Sequence, residues 1–135
     1  MNKYLADKIK SYFKEKPEVI AVYLFGSYFQ GNEHRFSDID IGILLHGSNR
    51  DTDFDKRIEY LMELSKILKK DIHPVILNSA NEELVRQIFL KGRCLLVNDS
   101  RELSKYKMIM ISRIADFAYY RNQMQSGFVS KVMEG

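Results

Sequence analysis

The sequence predicts an α/β fold in which a mixed sheet is flanked by helices and the chain ends in a long helix. Four short apolar runs are typical of strands, and they alternate with segments whose apolar residues recur at intervals of three and four. The chain has 135 residues, of which 45% are hydrophobic, which suffices for one domain with a core of its own. The predicted strands are residues 19–25, 39–45, 72–77 and 93–97.

Helical periodicity and end signals predict the elements between these strands. The first helix ends before Pro17, because a proline cannot continue it. A second helix begins near Thr52, which we expect to be its N-cap. The residues from Ser79 to Glu82 have the spacing of a capping box and open a third helix, which Gly92 is expected to close. Pro74 cannot donate a ladder hydrogen bond, so we expect its strand at an edge of the sheet.

The last predicted helix runs from Ser100 to about Gln125 and carries Met and Tyr on one face. We therefore divide the single domain into a core, residues 1–100, and a carboxyl-terminal segment, residues 101–135. The core has 15 basic and 15 acidic residues, and the segment has 6 and 3, so the net charge of +3 lies in the segment. So small a surplus gives no strong sign of nucleic-acid binding, and it indicates a helix that packs on the core or faces a partner.

The single cysteine and the lengths of the apolar stretches indicate where in the cell the protein resides. Cys94 is the single cysteine, so no internal disulfide forms, and we expect an inert thiol in a reducing cytoplasm. The first residues lack the apolar core of a signal peptide, and no apolar stretch approaches the roughly 18 residues that span a bilayer. These features predict a cytoplasmic protein without a membrane segment.

Two carboxylates stand two positions apart at the start of a strand-like run. Strand periodicity sends Asp38 and Asp40 to the same face. Like charges on an otherwise apolar strand are costly unless a cation compensates them, and hard divalent ions such as Mg²⁺ prefer oxygen ligands. Ten residues separate Asp38 from Gly26 and Ser27, which end the preceding apolar run. A glycine there allows a tight turn towards a ligand, and a hydroxyl with exposed amides can hold a phosphate.

This pattern of Gly-Ser, ten residues and Asp-x-Asp resembles the signature of the minimal nucleotidyltransferases of the DNA polymerase β superfamily. The resemblance covers roughly residues 18–100. It implies a polymerase β-like nucleotidyltransferase fold, with Asp38 and Asp40 as catalytic metal ligands. It also implies that Gly26 and Ser27 bind the phosphates of a nucleotide.

A third acidic residue on a later strand completes the site in this family and helps to activate the nucleophile. Aligned on the segment Val75-Ile-Leu-Asn78, that position falls on His73. Asp71 is two residues earlier and would substitute for the missing carboxylate if the ladder shifted. His73 can itself act as a base or ligate a metal, although a nitrogen ligand favours Mn²⁺ or Zn²⁺ over Mg²⁺. A surface histidine without a catalytic role is a further interpretation that the sequence leaves open.

Within the superfamily, the segments Tyr-Leu-Phe-Gly-Ser-Tyr and Val75-Ile-Leu-Asn78 are similar to the MntA-like antitoxins encoded beside HEPN-domain toxins. That resemblance implies Mg²⁺-dependent transfer of AMP from ATP to a tyrosine of a cognate HEPN ribonuclease toxin. The chain has no second lobe that would enclose a small acceptor, which favours a protein acceptor that docks from outside.

Two other functions stay open at the level of sequence. An aminoglycoside-type nucleotidyltransferase would need a partner subunit, so a homo-oligomer is compatible with the sequence. An antitoxin that is catalytically silent and acts only by binding is suggested by the loss of the third carboxylate.

Overall fold

The computed structural model describes residues 3–26, 38–120 and 132–134, and the side chains of residues 114 and 116–120 are outside this description. In chain order the elements are α1 (Lys3–Lys14), β1 (Val19–Phe25), β2 (Ile39–Leu45), α2 (Arg50–Leu68), β3 (Ile72–Ile76), α3 (Glu82–Lys91), β4 (Arg93–Val97) and α4 (Ser100–Tyr120).

The four strands form one mixed sheet in the order β3-β2-β1-β4. β1 is antiparallel to both β2 and β4, whereas β2 and β3 are parallel and are joined through α2, as a parallel connection requires. The predicted edge position of Pro74 is confirmed, because β3 is an outer strand. Arg57 of α2 donates its Nε to the Pro74 carbonyl at 3.0 Å. At this edge Pro74 has no N–H to donate, and its carbonyl already accepts a hydrogen bond from Arg57. Both features disfavour pairing of β3 with a further strand.

Helices cover both faces of the sheet, which confirms the predicted α/β fold. β2 contributes to both cores because its side chains alternate, with Ile41 on one face and Leu44 on the other. The helical residues buried on the first face come from α1 and α2 and include Leu5, Ile9, Phe13, Tyr60, Leu64 and Leu68. Those on the second face come from α3 and α4 and include Val85, Ile88, Phe89, Leu103 and Met110.

Two of the predicted helix starts are wrong by two or three residues. Asn49, not Thr52, caps α2: the Asn49 side chain accepts the Thr52 N–H at 3.0 Å, and the Thr52 hydroxyl accepts the Asn49 N–H at 3.2 Å. Thr52 is therefore the N3 residue of the capping box, the third residue of the helix. Asn81, not Ser79, caps α3 by accepting the Leu84 N–H at 2.8 Å. In both places an asparagine competes with a nearby hydroxyl residue, and asparagine is at least as good a cap.

Gly92 closes α3 as predicted, but close approach rather than a left-handed turn requires the glycine. Its φ is −84°, which any residue adopts. A Cβ at this position would lie 2.5 Å from the Ile88 carbonyl oxygen and 2.8 Å from the Leu24 carbonyl oxygen. The end of α3 thus passes so close to β1 that no side chain fits between them.

α4 packs on the second face of the sheet over its described length. Leu103 and Met110 are buried in that core, and the Tyr106 hydroxyl donates to the Leu77 carbonyl at 3.3 Å. Met108 points away from it and is exposed. The part of this helix predicted beyond residue 120 lies outside the described residues. None of the described helices combines the length and the apolar character that crossing a membrane requires.

Cys94 of β4 is half-buried, and burial raises the pKa of its thiol. A thiol with a raised pKa stays protonated at neutral pH and is a poor nucleophile. The structure is therefore consistent with the inert cysteine expected from the sequence.

A buried tyrosine ties α2 to the loop before β1. Tyr60 is 0% exposed, and its hydroxyl donates to the Glu18 carboxylate at 2.7 Å, while Lys56 approaches the same oxygen at 3.3 Å. Burial opposes ionisation of Glu18, but the Tyr60 hydrogen bond, a backbone hydrogen bond and Lys56 outweigh it and lower the pKa of Glu18. Because the folded pKa is lowered, this stabilisation is present above the ordinary glutamate pKa, near 4.3, and is lost as pH falls through the lowered value.

We expect Tyr60→Phe to lower the free energy of unfolding by about 1–2 kcal/mol at neutral pH, because Glu18 loses its donor. Urea denaturation should show the difference shrinking below about pH 4 as Glu18 becomes protonated. Tyr12→Phe is the matched control, since its hydroxyl donates to Glu63 at an exposed site and should contribute less. A loss for Tyr60→Phe that is the same at neutral and acidic pH would contradict this role of Glu18.

Candidate active site

Asp40 is the second residue of β2 and lies on the opposite face from a row of buried isoleucines. Ile39, Ile41 and Ile43 are each 0% exposed, which fixes the direction of the intervening Asp40 through strand alternation. The Asp40 side chain retains 23% exposure. Asp38 directly precedes the strand and is exposed. The carboxylate of Asp40 therefore lies at the beginning of a buried strand, and the exposed Asp38 directly precedes that strand.

Gly26 directly follows β1 and packs against the Asp40 carboxylate. β1 and β2 pair so that Phe25 lies opposite Asp40, which brings the next residue, Gly26, to the same end of the sheet. Its φ is +79°, and a Cβ there would lie 2.1 Å from Oδ2 of Asp40. Only glycine meets both conditions, since other residues rarely adopt this φ and none could avoid the carboxylate. Gly26, the glycine of the Gly-Ser motif, therefore packs directly against the Asp40 carboxylate on the β1 side.

His73 occupies the other side of Asp40. The parallel ladder pairs Asp40 with His73, and Nδ1 of the imidazole lies 3.0 Å from Oδ1 of Asp40. Asp71 does not take this place: it is exposed, its carbonyl accepts the Ile39 N–H at 3.0 Å, and the ladder shows no shift there. Of the two alternatives left open by the sequence, His73 is therefore the one in contact with Asp40.

The contact between Asp40 and His73 determines which ring nitrogen is available for chemistry. A carboxylate only accepts hydrogen bonds, so Nδ1 must be the donor. Nε2 is then free to accept a proton when the ring is neutral, and the His73 side chain is 52% exposed. An aspartate that orients an imidazole through Nδ1 is the arrangement by which histidine serves as a base in other enzymes.

The described residues contain no cluster of three or more Asp, Glu, His or Cys side chains that would bind a metal ion by themselves. Oδ2 of Asp40 faces Gly26, and the exposed Asp38 directly precedes β2. Two carboxylates of this kind fit Mg²⁺, which is commonly held by one or two carboxylates together with substrate phosphates and water. Ser27, the other predicted phosphate-binding residue, lies outside the described residues.

Asn78, from the segment that supported the resemblance, has a structural role that the sequence did not reveal. Its side-chain oxygen accepts the Leu45 N–H at 2.9 Å, and its nitrogen donates to the Leu45 carbonyl at 2.9 Å. This bidentate contact holds the residues after β3 against the far end of β2. It therefore helps to fix the register of the two parallel strands, on which the pairing of Asp40 with His73 depends.

Sequence reasoning missed two arginines that stand beside His73. Arg50 and Arg57 of α2 line a groove together with His73 on the outer side of β3. Their spacing of seven residues places them on one face of a helix, and this signal was available. The position of that face next to His73 comes only from the packing of α2 on β3.

Comparison with known proteins gives concordant results. A family profile described as polymerase beta nucleotidyltransferase matches residues 7–101. A protein adenylyltransferase, MntA, of Shewanella oneidensis is 41% identical over 77 residues, which is 57% of this chain and 53% of that protein. A putative protein adenylyltransferase of Methanocaldococcus jannaschii is 35% identical over 92 residues, or 62% of this chain and 91% of that protein. The chain thus spans about half the length of the first relative and most of the second.

Solved structures with a similar fold include toxin–antitoxin complexes. A chain of a toxin–antitoxin structure with AMP-PNP superimposes with a TM-score of 0.69 at 29% identity, covering 95% of this chain and 98% of that one. A chain of the complex between a tri-AMPylated Shewanella oneidensis HEPN toxin and its MNT antitoxin superimposes with a TM-score of 0.66 at 25% identity, covering 98% and 99%. From the positions of Gly26 and His73 on either side of Asp40 in the sheet and from the match to the family profile, we conclude that the chain belongs to the polymerase β nucleotidyltransferase family.

Proposed function

We propose that this chain is a protein adenylyltransferase that transfers AMP from ATP to a tyrosine of a HEPN-domain toxin and thereby acts as its antitoxin. The observation that carries the proposal is the cluster in which Gly26 and His73 enclose the Asp40 carboxylate from two sides. The adenylyltransferase names of the relatives and the toxin complexes among the similar structures support the identity of the donor and the acceptor. A cytoplasmic location, expected from the sequence, is part of the same proposal.

In this proposal Asp38 and Asp40 bind Mg²⁺, and Gly26 and Ser27 bind the phosphates of ATP. Oδ2 of Asp40 faces Gly26, so the free oxygen is on the side where the phosphates would lie. The metal would supply charge neutralisation of the triphosphate during transfer. Since Oδ1 is engaged by His73, the protein ligands alone form an incomplete shell, which a nucleotide phosphate would complete.

We assign His73 as the general base. Asp40 holds the imidazole through Nδ1, and Nε2 receives the proton of the attacking hydroxyl. The attacking oxygen then forms a bond to the α-phosphorus of ATP, and pyrophosphate leaves with the electron pair of the broken bond. Because His73 is about half exposed, a tyrosine carried by another protein can reach it without a second lobe of this chain.

A second candidate function is an antitoxin that only binds its toxin. The observation in its favour is that His73 stands where the family pattern has a third carboxylate. The candidates differ in one outcome, the covalent transfer of AMP to the toxin.

We expect Gly26→Ala to abolish transfer of labelled AMP from ATP to the toxin, because the added Cβ would displace the Asp40 carboxylate. Gly47→Ala is the matched control: Gly47 also has a positive φ, +57°, but a Cβ there would meet nothing within 4 Å. Both variants should lose of the order of 1–2 kcal/mol of stability through the positive φ, and Gly26→Ala should lose more because its Cβ also meets Asp40. Equal AMP transfer by the two variants would refute the role of the contact between Gly26 and Asp40.

His73→Ala should reduce the turnover of AMP transfer by about 10²-fold or more while nucleotide affinity changes little, because a general base acts on the acceptor rather than on ATP. Asp71→Ala should be mild. His73→Asp, which restores the family residue, should retain or raise activity because it adds an oxygen ligand suited to Mg²⁺. Calorimetry and a transfer assay separate the two effects. Wild-type behaviour of all three variants, with no AMP transferred to any toxin, would leave only the binding function.

A further inference from the structure

The helix α2 is apolar on two of its faces. Its buried face packs on the sheet through residues that include Leu64 and Leu68. On its outer face, Phe54, Ile58 and Met62 are 63%, 36% and 68% exposed. These three side chains follow one another at intervals of four residues, so they are neighbours along one side of the helix. We call this set of three the outer stripe.

The outer stripe is unusual for a helix that packs on a sheet. A surface helix of a globular protein normally has one apolar face, and its opposite face is polar. A single exposed apolar side chain needs no explanation, whereas neighbouring ones on a common surface indicate a place where another element binds. The outer stripe therefore indicates that a further protein surface packs against α2.

The charged residues beside the outer stripe are sorted by sign along the helix. Asp51 and Asp55 lie in the first two turns of α2, and Lys66 and Lys69 lie at its carboxyl-terminal end. All four side chains are exposed, and none of them forms an ion pair with another of the described residues. One end of the outer stripe is thus bordered by carboxylates, and the other end by ammonium groups.

This order of charges is complementary to itself when two copies of α2 pack antiparallel. With the two-fold axis beside residue 60, Asp51 lies nine positions before the centre and Lys69 nine positions after it, so the two meet. Asp55 lies five positions before the centre and Lys66 six positions after it. At about 100° per residue, Asp55 and Lys66 are on the same flank of the helix, and like flanks meet in an antiparallel pair.

The same register brings apolar side chains together. Ile58 is two positions before the centre and Met62 is two positions after it, so each packs against the other residue of the second copy. Phe54, six positions before the centre, meets the small side chain of Ser65, five positions after it. A parallel pair would instead set like charges opposite each other at both ends of the helix, which is destabilising.

We propose that the outer stripe is a homodimer interface, in which α2 of one copy packs antiparallel on α2 of a second copy. The contact is isologous, because the same patch serves both copies and closes with two-fold symmetry. A single pair of helices is small for a protein interface, so the dimer dissociates on dilution. The inference goes beyond the proposed function and does not depend on AMP transfer, because it rests on the outer face of α2.

Sedimentation velocity of the full chain, from about 10 µM to about 1 mM, tests this interface. We expect a monomer at the lower concentration and a growing fraction of dimer as the concentration rises. Met62→Glu should weaken the dimer by about 10²-fold or more, because it places two carboxylates in the apolar contact. Met108→Glu is the matched control: Met108 is an exposed methionine of α4, and its replacement should leave the dimer unchanged. Thermal unfolding checks that both variants fold.

Charge reversal tests the antiparallel register. Asp55→Lys and Lys66→Asp should each weaken the dimer by about tenfold, because each sets like charges opposite each other twice in the symmetric dimer. The variant that carries both substitutions should dimerise like the wild type. An equimolar mixture of the two single variants should also dimerise, since each supplies the charges that the other needs.

A chain that stays monomeric at about 1 mM would overturn the proposal, and so would a dimer that Met62→Glu does not weaken. A double charge-reversal variant that dimerises no better than the single variants would also contradict the antiparallel register. If the chain is monomeric by itself and Met62→Glu instead lowers its affinity for a HEPN toxin, the toxin rather than a second copy covers the outer stripe.

Discussion

The contact of Asp40 with its two neighbours is the constraint on which the rest of this molecule depends. One oxygen meets the imidazole of His73 at 3.0 Å, and the other leaves no room for a side chain at Gly26. Gly26, Asp40 and His73 are distant in sequence and must therefore meet at the same end of the sheet. The order β3-β2-β1 achieves this, because the strand carrying Asp40 lies between the other two. A sheet with any other neighbour for β2 would separate these groups.

The two apolar cores hold the strands in this order. Ile39 and Ile41 anchor β2 from the face covered by α1 and α2, while Leu44 anchors it from the face covered by α3 and α4. A slip of β2 by one residue would move Asp40 into the core that now holds Ile39 and Ile41, so this slip is costly. Asn78 adds a second restraint by binding both backbone groups of Leu45. The precision of the site thus comes from packing and hydrogen bonds that lie outside it.

The sequence predicted the four strands well, because an apolar run depends on neighbouring residues. Apolar runs defined all four strands, and the spacing of Gly26 to Asp40 indicated the site. The choice between Asp71 and His73 could not be made in this way, since it depends on the parallel register of two strands joined through a helix. For the same reason the groove beside β3 was not foreseen. Arg50 and Phe54 look like ordinary exposed helix residues until α2 is placed against the strand.

Paramagnetic broadening by Mn²⁺ is the most direct test of the proposal that Asp38 and Asp40 bind the metal and that Gly26 and His73 lie on either side of it. Mn²⁺ replaces Mg²⁺ at oxygen-rich sites and broadens NMR signals of nearby nuclei. With Mn²⁺ and AMP-PNP, the Gly26 amide and the His73 ring signals should disappear, while the ring of His46, at the opposite end of β2, should remain sharp. Equal broadening of both histidines, or of neither, would contradict the account.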